Sequence, residues 1–396
     1  MNLMDLAKEI GAERCQKMPP EMLSYYPIPQ ERKRELCSLE MIDRLQARFN
    51  IFKEYYPIVR EYWQALEQDP LRKAYVDAAS LFMRDSAFNQ CTAIPVPAPD
   101  GTPAGDLLQL FIHVPSVEDA YEHYRARGFS HEETLSFLDS YYQNVSDTHK
   151  NLVGRPALVY DYFRWLCNYT KARIFSCHGL KFAMRRNKQI YVLKNKNNGE
   201  LRILATPQRL HKSGRILGSA GYREEEGAVD ATFEETEDAY LGFAVKSHLF
   251  STNKERFSKE DWELVLDMRD DCIGVHIPTG ADLSPEEVAL AFKGAKEMVA
   301  RHFPERKARF FTCTSWIISP DLEKVLKPGS RILSFGECFL RYPVLCNGKG
   351  LLPCVFPVDF EKDLDELPEN TSLQRAVKKL YGEGESILNY GGIIEF

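Results

Sequence analysis

The stretch Asp271–Pro320 constrains the fold of this chain more than any other. Cys272–Pro278 (CIGVHIP) is a short apolar run with one histidine in it, the pattern of a buried strand. Thr279–Leu283 is a polar connection carrying Gly280. Ser284-Pro285-Glu286-Glu287 then spells a helix start, with Ser at the N-cap, Pro at the first helical position and Glu three residues past the cap. Val288, Phe292, Ala295, Val299 and Phe303 follow at helical spacing, and the helix stops before Pro304. Ala308–Ile318 (ARFFTCTSWII) reads as a second strand, and Ser319-Pro320-Asp321 caps a further short helix that ends at Pro328-Gly329. Strand, turn, helix, strand is a βαβ unit, and the start of its helix is a ready anion site.

The chain around this unit has 396 residues, enough for two or three domains with sizeable cores. A net charge of −6 argues against a dedicated nucleic-acid binder. Asp5, Lys8 and Glu9 interrupt Met1–Ile10, so no signal-peptide core is expected, and no window has the length and apolarity of a membrane-spanning helix. Ten cysteines form no Cys-x-x-Cys pair and sit mostly in apolar runs. They read as reduced core residues of a cytoplasmic protein, with no metal site.

Taken in order, residues 1–35, with Pro19, Pro20, Pro27 and Pro29, read as an arm laid over the rest. Leu36, Leu39, Ile42, Leu45 and Phe49 begin a helical pattern that Pro57 and Pro70 divide, and 36–172 is expected to be an all-helical domain. Cys91–Gly105 is a loop, Ser116–Gly128 and Ser130–Tyr142 are helices, and Arg155–Lys171 is an aromatic-rich one. From about 173 the character changes. Ile174–Met184, Gln189–Leu193 and Leu201–Ala205 are β-rich runs parted by polar clusters. Arg223–Ala239 is acidic and reads as a solvated loop, Tyr240–Leu249 as a strand, and Ser258–Leu266 as a short helix. Arg331–Phe339, Cys354–Val358 and Gly391–Phe396 read as strands, with Thr371–Tyr381 a helix among them. The fold class is thus α+β: a helical domain, then a mixed sheet flanked by helices over 173–396.

The chain carries no Gly-x-x-x-x-Gly-Lys loop, no His-Glu-x-x-His and no Gly-x-Ser-x-Gly elbow. Gly214–Gly221 (GRILGSAG) has the wrong spacing for a dinucleotide loop and reads as a turn. Two features remain. His276 lies on the strand entering the anion site; it is either a core residue bonded to a carbonyl or a proton carrier near neutral pH. Ser315 and Cys313, on the neighbouring strand, are weaker candidates. Between Lys171 and Arg215 twelve Lys/Arg face a single acid, Glu200, which suits a solvated sheet face, a seat for a phosphorylated cofactor, or RNA.

The runs VHIPTGADLSPEE (275–287), FTCTSWIISPDL (311–322) and LPENTSLQRAV (367–377) resemble a bacterial two-domain acyltransferase family. Its members join a helical N-acyltransferase N-terminal domain to a GNAT-like C-terminal domain. YRARGFSHEETLSFL (124–138) and RIFSCHGLKFAM (173–184) extend the resemblance more loosely to the helical half. It implies acyl-CoA as co-substrate, a small-molecule or peptide amine as acceptor, and no metal. In such folds two adjacent parallel strands splay, and the pantetheine arm adds to the open edge like another strand.

By that resemblance Gly274, Val275 and Ile277 meet the pantetheine and acyl group, while Thr279, Gly280, Ala281 and Ser284 hold the pyrophosphate on backbone N–H groups. His276 would serve as the base and Ser315 would protonate the departing thiolate, with the helical domain selecting the acceptor. One departure stands out. The usual phosphate loop has Gln or Arg, then two further residues, then Gly-x-Gly or Gly-x-Ala, whereas this chain has Thr279-Gly280-Ala281-Asp282. Asp282 puts a carboxylate where a pyrophosphate needs none. The alternative reading is therefore a catalytically inactive GNAT-like binding or scaffold protein.

Overall fold

The computed structural model describes residues 2–12, 17–356 and 362–396. The chain divides into two compact units, Met1–Phe175 and Ser176–Phe396.

The first unit is helical, and its helices start where short polar residues satisfy orphan N–H groups. The Ser38 hydroxyl accepts from the Met41 N–H at 3.2 Å to begin Leu39–Phe49, and the Asp69 carboxylate accepts from the Arg72 N–H at 3.0 Å to begin Pro70–Asp85. Ser130 and Glu133 close a reciprocal capping box at 3.1 and 2.6 Å ahead of His131–Leu138. Pro70–Asp85 is the hub, since Tyr75 to Met83 are all buried. The described amino-terminal residues pack within this unit. Asn2 and Asp5 box the helix Leu3–Glu9, whose Leu3, Leu6 and Ala7 are buried, and the Tyr25 ring meets Phe82 edge-on at 5.3 Å.

The second unit is built on a six-stranded sheet whose first strand begins two residues before Ser176. Its strands are β1 (Ile174–Cys177), β2 (Leu180–Arg186), β3 (Asp271–His276), β4 (Phe310–Ser315), β5 (Leu340–Pro343) and β6 (Tyr390–Glu395), in spatial order β1-β2-β3-β4-β6-β5. β3 and β4 run parallel, joined by α1 (Pro285–His302). Pairing of β2 with β3, β4 with β6 and β5 with β6 is antiparallel. On one sheet face α1 buries Val288, Ala291, Ala295 and Val299, and Phe292 packs on Phe182 and Phe311. Each large side chain so buried contributes about 1.5–3 kcal/mol. On the other face Phe310, Tyr342 and Ile393 join the core of a small sheet ordered Trp262–Leu266, Ile190–Asn195, Leu201–Ala205.

Four local expectations are corrected. Ser258–Leu266 is not a helix: Glu255–Ser258 pairs with Ala239–Gly242, and Trp262–Leu266 with Ile190–Asn195, so distant strands override a short helical pattern. Arg331–Phe339 is not a strand. The Ser330 hydroxyl caps the Leu333 N–H at 3.3 Å and α2 (Arg331–Glu337) follows, the strand starting only at Leu340. The acidic stretch 223–239 holds two short strands, Val229–Ala231 and Glu234–Glu235, added to partners that supply the apolar side. Leu352–Val355 is a helical turn, and the rest of the strand expected at Cys354–Val358 runs into 357–361, outside the described residues. Among the described residues, no helix is long and apolar enough to cross a membrane.

Candidate active site

The six strands are not equally zipped. β3 pairs with β2 along its whole length, from Asp271↔Arg186 to His276↔Lys181. β4 likewise pairs with β6 from Phe310↔Glu395 to Ser315↔Tyr390. Between β3 and β4 the register holds only at Ile273↔Phe311 and Gly274↔Thr312. Past Gly274 the two strands keep their outer partners and lose each other. Val275 and Cys313 are buried on the α1 side of this split, while His276 and the exposed Thr314 lie on the opposite face.

The split leads to the start of α1. Thr279 and Gly280 are exposed, Ile277 and Ala281 are half-buried, and Gly280 takes a left-handed φ of +80° that lets the Ala281 N–H return to the Pro278 carbonyl at 3.1 Å. Ser284 is the N-cap, but its hydroxyl caps nothing, so the expected capping box is not made. The Asp282 carboxylate instead accepts from the Ser284 N–H at 2.9 Å. Asp282 also pairs with Arg331 at 3.1 Å, at the first turn of α2. The Ser284 N–H, with Arg331 behind it, holds the Asp282 carboxyl below its ordinary range. The awkward carboxylate thus brings its own cation to the anion site.

Gly274 is a close-approach position. A Cβ there would lie 2.5 Å from Arg185 Nε and 2.6 Å from its Cδ, so glycine lets the Arg185 chain lie across β3. The Arg185 guanidinium reaches His276 Nε2 at 2.7 Å. A guanidinium only donates, so Nε2 accepts and the imidazole proton sits on Nδ1. Removal from water, then the cations Arg185 and Lys181, push the His276 pKa well below its usual value. The ring is therefore neutral at neutral pH, with its Nε2 lone pair already engaged. Ser315 is half-buried at the end of β4, where its Oγ accepts from the Ile317 N–H at 3.2 Å. Its own O–H remains a donor.

The structure thus brings Gly274, Val275, His276 and Ile277 to one edge of the split, Ser315 to the other, and Thr279, Gly280, Ala281 and Ser284 to the helix start. Sequence reasoning missed Arg185 and Arg331. Arg185 is one of twelve cations in its stretch, and only the β2–β3 register sets it over Gly274. Among the described residues no cluster of His, Cys, Asp or Glu could hold a metal ion. A cavity of about 420 Å³ opens at the other end of β3, where the four cations Arg186, Arg269, Lys307 and Arg309 face the three acids Asp270, Asp271 and Glu305.

Solved structures of acyltransferases resemble the whole chain. An acyltransferase mutant in complex with octanoyl-CoA matches with a TM-score of 0.64 and 14% identity, covering 100% of both chains. An acyltransferase in complex with decanoyl-CoA and teicoplanin matches at 0.63 and 15%, covering 100% of this chain and 99% of that one. An acyltransferase in complex with CoA and 10C-teicoplanin matches at 0.64 and 16%, with the same coverage. At these identities the likeness is one of fold. No curated protein matches the sequence. The family model described as the GNAT-like C-terminal domain matches residues 180–394, in line with the resemblance read from 275–287, 311–322 and 367–377. This chain belongs to the GNAT-like C-terminal domain family.

Proposed function

We propose that the chain is an acyl-CoA-dependent N-acyltransferase that moves an acyl group to an amine by direct attack. The observation that carries this reading is the β3–β4 ladder, which stops after Gly274↔Thr312 while both outer ladders continue. A pantetheine arm supplies the amide groups that an added strand would. It runs along Val275–Ile277, and its pyrophosphate lies on Thr279–Ser284 and the free N–H groups of the first turn of α1, with Arg331 as counter-charge. The acyltransferases of like fold crystallised with acyl-CoA support the same donor.

The acceptor nitrogen forms a C–N bond to the thioester carbonyl, and the π pair moves onto oxygen, held by a main-chain N–H of β3 beyond Gly274. The ammonium proton passes to His276 Nε2, directly or through a water, once Arg185 has released that lone pair. Collapse restores C=O and breaks C–S. The thiolate takes a proton from the Ser315 hydroxyl, which is refilled by solvent on the α1 side of the split, while His276 returns its proton to solvent on the opposite face. The products are an amide and CoA-SH.

Thermal unfolding with acetyl-, octanoyl- and decanoyl-CoA tests the donor, and release of free thiol with an amine panel tests the transfer. Stabilisation that rises with ligand concentration is expected for at least one acyl length. His276→Ala should abolish transfer and leave that stabilisation in place. No stabilisation by any acyl-CoA at large excess would sink the proposal and leave a binding or scaffold module. Unchanged turnover in His276→Ala would remove His276 as the base.

A further inference from the structure

We infer that Arg185 is the acceptor-recognition residue of this site, and that the acceptor is an amine bearing a carboxylate. The register sets Lys181, Ala183 and Arg185 of β2 on one sheet face with Cys272, Gly274 and His276 of β3. On that face, beside the split, two cations stand close to His276. Arg185 and Lys181 act on His276, and the neutral thiols Cys272 and Cys313 lie near Arg185. The nearest acid along β3, Asp271, is held by Arg306 at 2.9 Å.

Arg185 is nonetheless exposed, and among the described residues its hydrogen-bond partner is the neutral His276 ring. A five-donor fork with a single uncharged partner is built to exchange that partner for an anion. Its position is also built, because only a glycine at 274 leaves room for the side chain to cross the strand. An acceptor cation alone would meet two like charges here. An amine that carries a carboxylate balances Arg185 and enters readily in its free-base form.

The same exchange has a second effect. When a carboxylate takes the Arg185 donors, the Nε2 lone pair of His276 is released beside the incoming amine. The correct acceptor thereby switches on its own base, and water, which carries no such group, does not. This inference rests on the acyl-transfer reading and names the acceptor class for the same site.

The test uses product analogues, so it needs no turnover. N-octanoyl derivatives of glycine, alanine and phenylalanine are titrated against their carboxamides, by thermal unfolding and by histidine-ring nitrogen NMR, with octanoyl-CoA as a separate ligand. The wild type should bind at least one acid about tenfold or more tightly than its amide, the worth of a charge-assisted pair. The His276 Nε2 signal should shift with the acid only. Arg185→Gln should bind acid and amide alike and keep its response to octanoyl-CoA. Gly274→Ala, which displaces the same side chain without changing its charge, should narrow the preference too. Equal binding of acid and amide by the wild type, or a preference that survives Arg185→Gln, overturns the inference. So does failure of every analogue while octanoyl-CoA still binds, and that result leaves the donor reading standing. Failure of octanoyl-CoA itself would take both down.

Discussion

His113 offers a quantitative check on the helical unit. Its Nε2 lies 3.1 Å from the Phe163 carbonyl, which can only accept, so Nε2 carries the proton. Its Nδ1, 2.9 Å from Thr170 Oγ1, must then accept from that hydroxyl, which in turn accepts from the Tyr141 hydroxyl at 2.8 Å. The ring is fully buried, and burial pushes its pKa down to about 3. The unfolded chain titrates near its ordinary value, about 6.5. Below that value the unfolded chain binds a proton that the folded chain refuses. The contribution is therefore complete above about pH 6.5 and lost as pH falls toward 3. Between about pH 8 and pH 5 the loss comes to roughly 2 kcal/mol from this one residue. Urea unfolding of the wild type and His113→Gln at both pH values isolates it, because other titrating groups cancel in the difference. The wild type should lose about 2 kcal/mol more than the variant. Equal losses, or a His113 ring signal that titrates near the ordinary histidine value, would refute the buried-neutral assignment.

Three further outcomes follow from the second unit. Gly274→Ala should cost only about 1 kcal/mol of stability, because the clashing atoms are the movable Arg185 chain; a loss of about 3 kcal/mol or more in urea unfolding would mean Arg185 is locked in place. Arg331→Gln should weaken acyl-CoA binding several-fold in a titration while changing stability by less than about 1 kcal/mol, since its pair with Asp282 is exposed; unaltered affinity would take Arg331 out of the phosphate site. With the free-base amine held saturating at every pH, the rate of thiol release should stay on its plateau as pH falls through the usual histidine range, because burial and the two neighbouring cations defer protonation of His276; an acid limb at or above about 6.5 would contradict that.

The parts of this fold that were legible in the sequence are those where local signals and tertiary packing agree. The βαβ unit is punctuated by Pro285 and Pro304 and has one clean helical stripe, and its observed elements fall at Asp271–His276, Pro285–His302 and Phe310–Ser315. Short apolar runs carried less. WELVL at 262–266 suits either a helix or a strand, and its pairing with Ile190–Asn195, some seventy residues earlier, decides the matter. RILSFGECF at 331–339 reads as alternation, yet Ser330 placed at a cap turns it into a helix. The site divides the same way. His276 stood out as a histidine inside an apolar strand. Arg185 and Arg331 gain their meaning from partners 91 and 49 residues away, which a linear pattern does not encode. Asp282 even reverses sign: alone it argues against an anion, and paired with Arg331 it anchors a cation there.

The split between β3 and β4 has a physical cause in the same topology. Each strand is tied along its full length to an antiparallel partner, β2 for one and β6 for the other. Antiparallel ladders are the firmer ones, and twist accumulates across a sheet, so the parallel seam is where strain is released. It holds for two residue pairs and opens toward the start of α1. Opening costs the main-chain bonds that would have closed the seam, and buried peptide groups left unpaired are expensive. The fold therefore carries a standing demand for an extended chain of amides at one place, next to a helix start that favours negative charge. A carrier with amides along its arm and phosphates at its end meets both demands at once, whereas a peptide strand alone would leave the helix start and Arg331 unused.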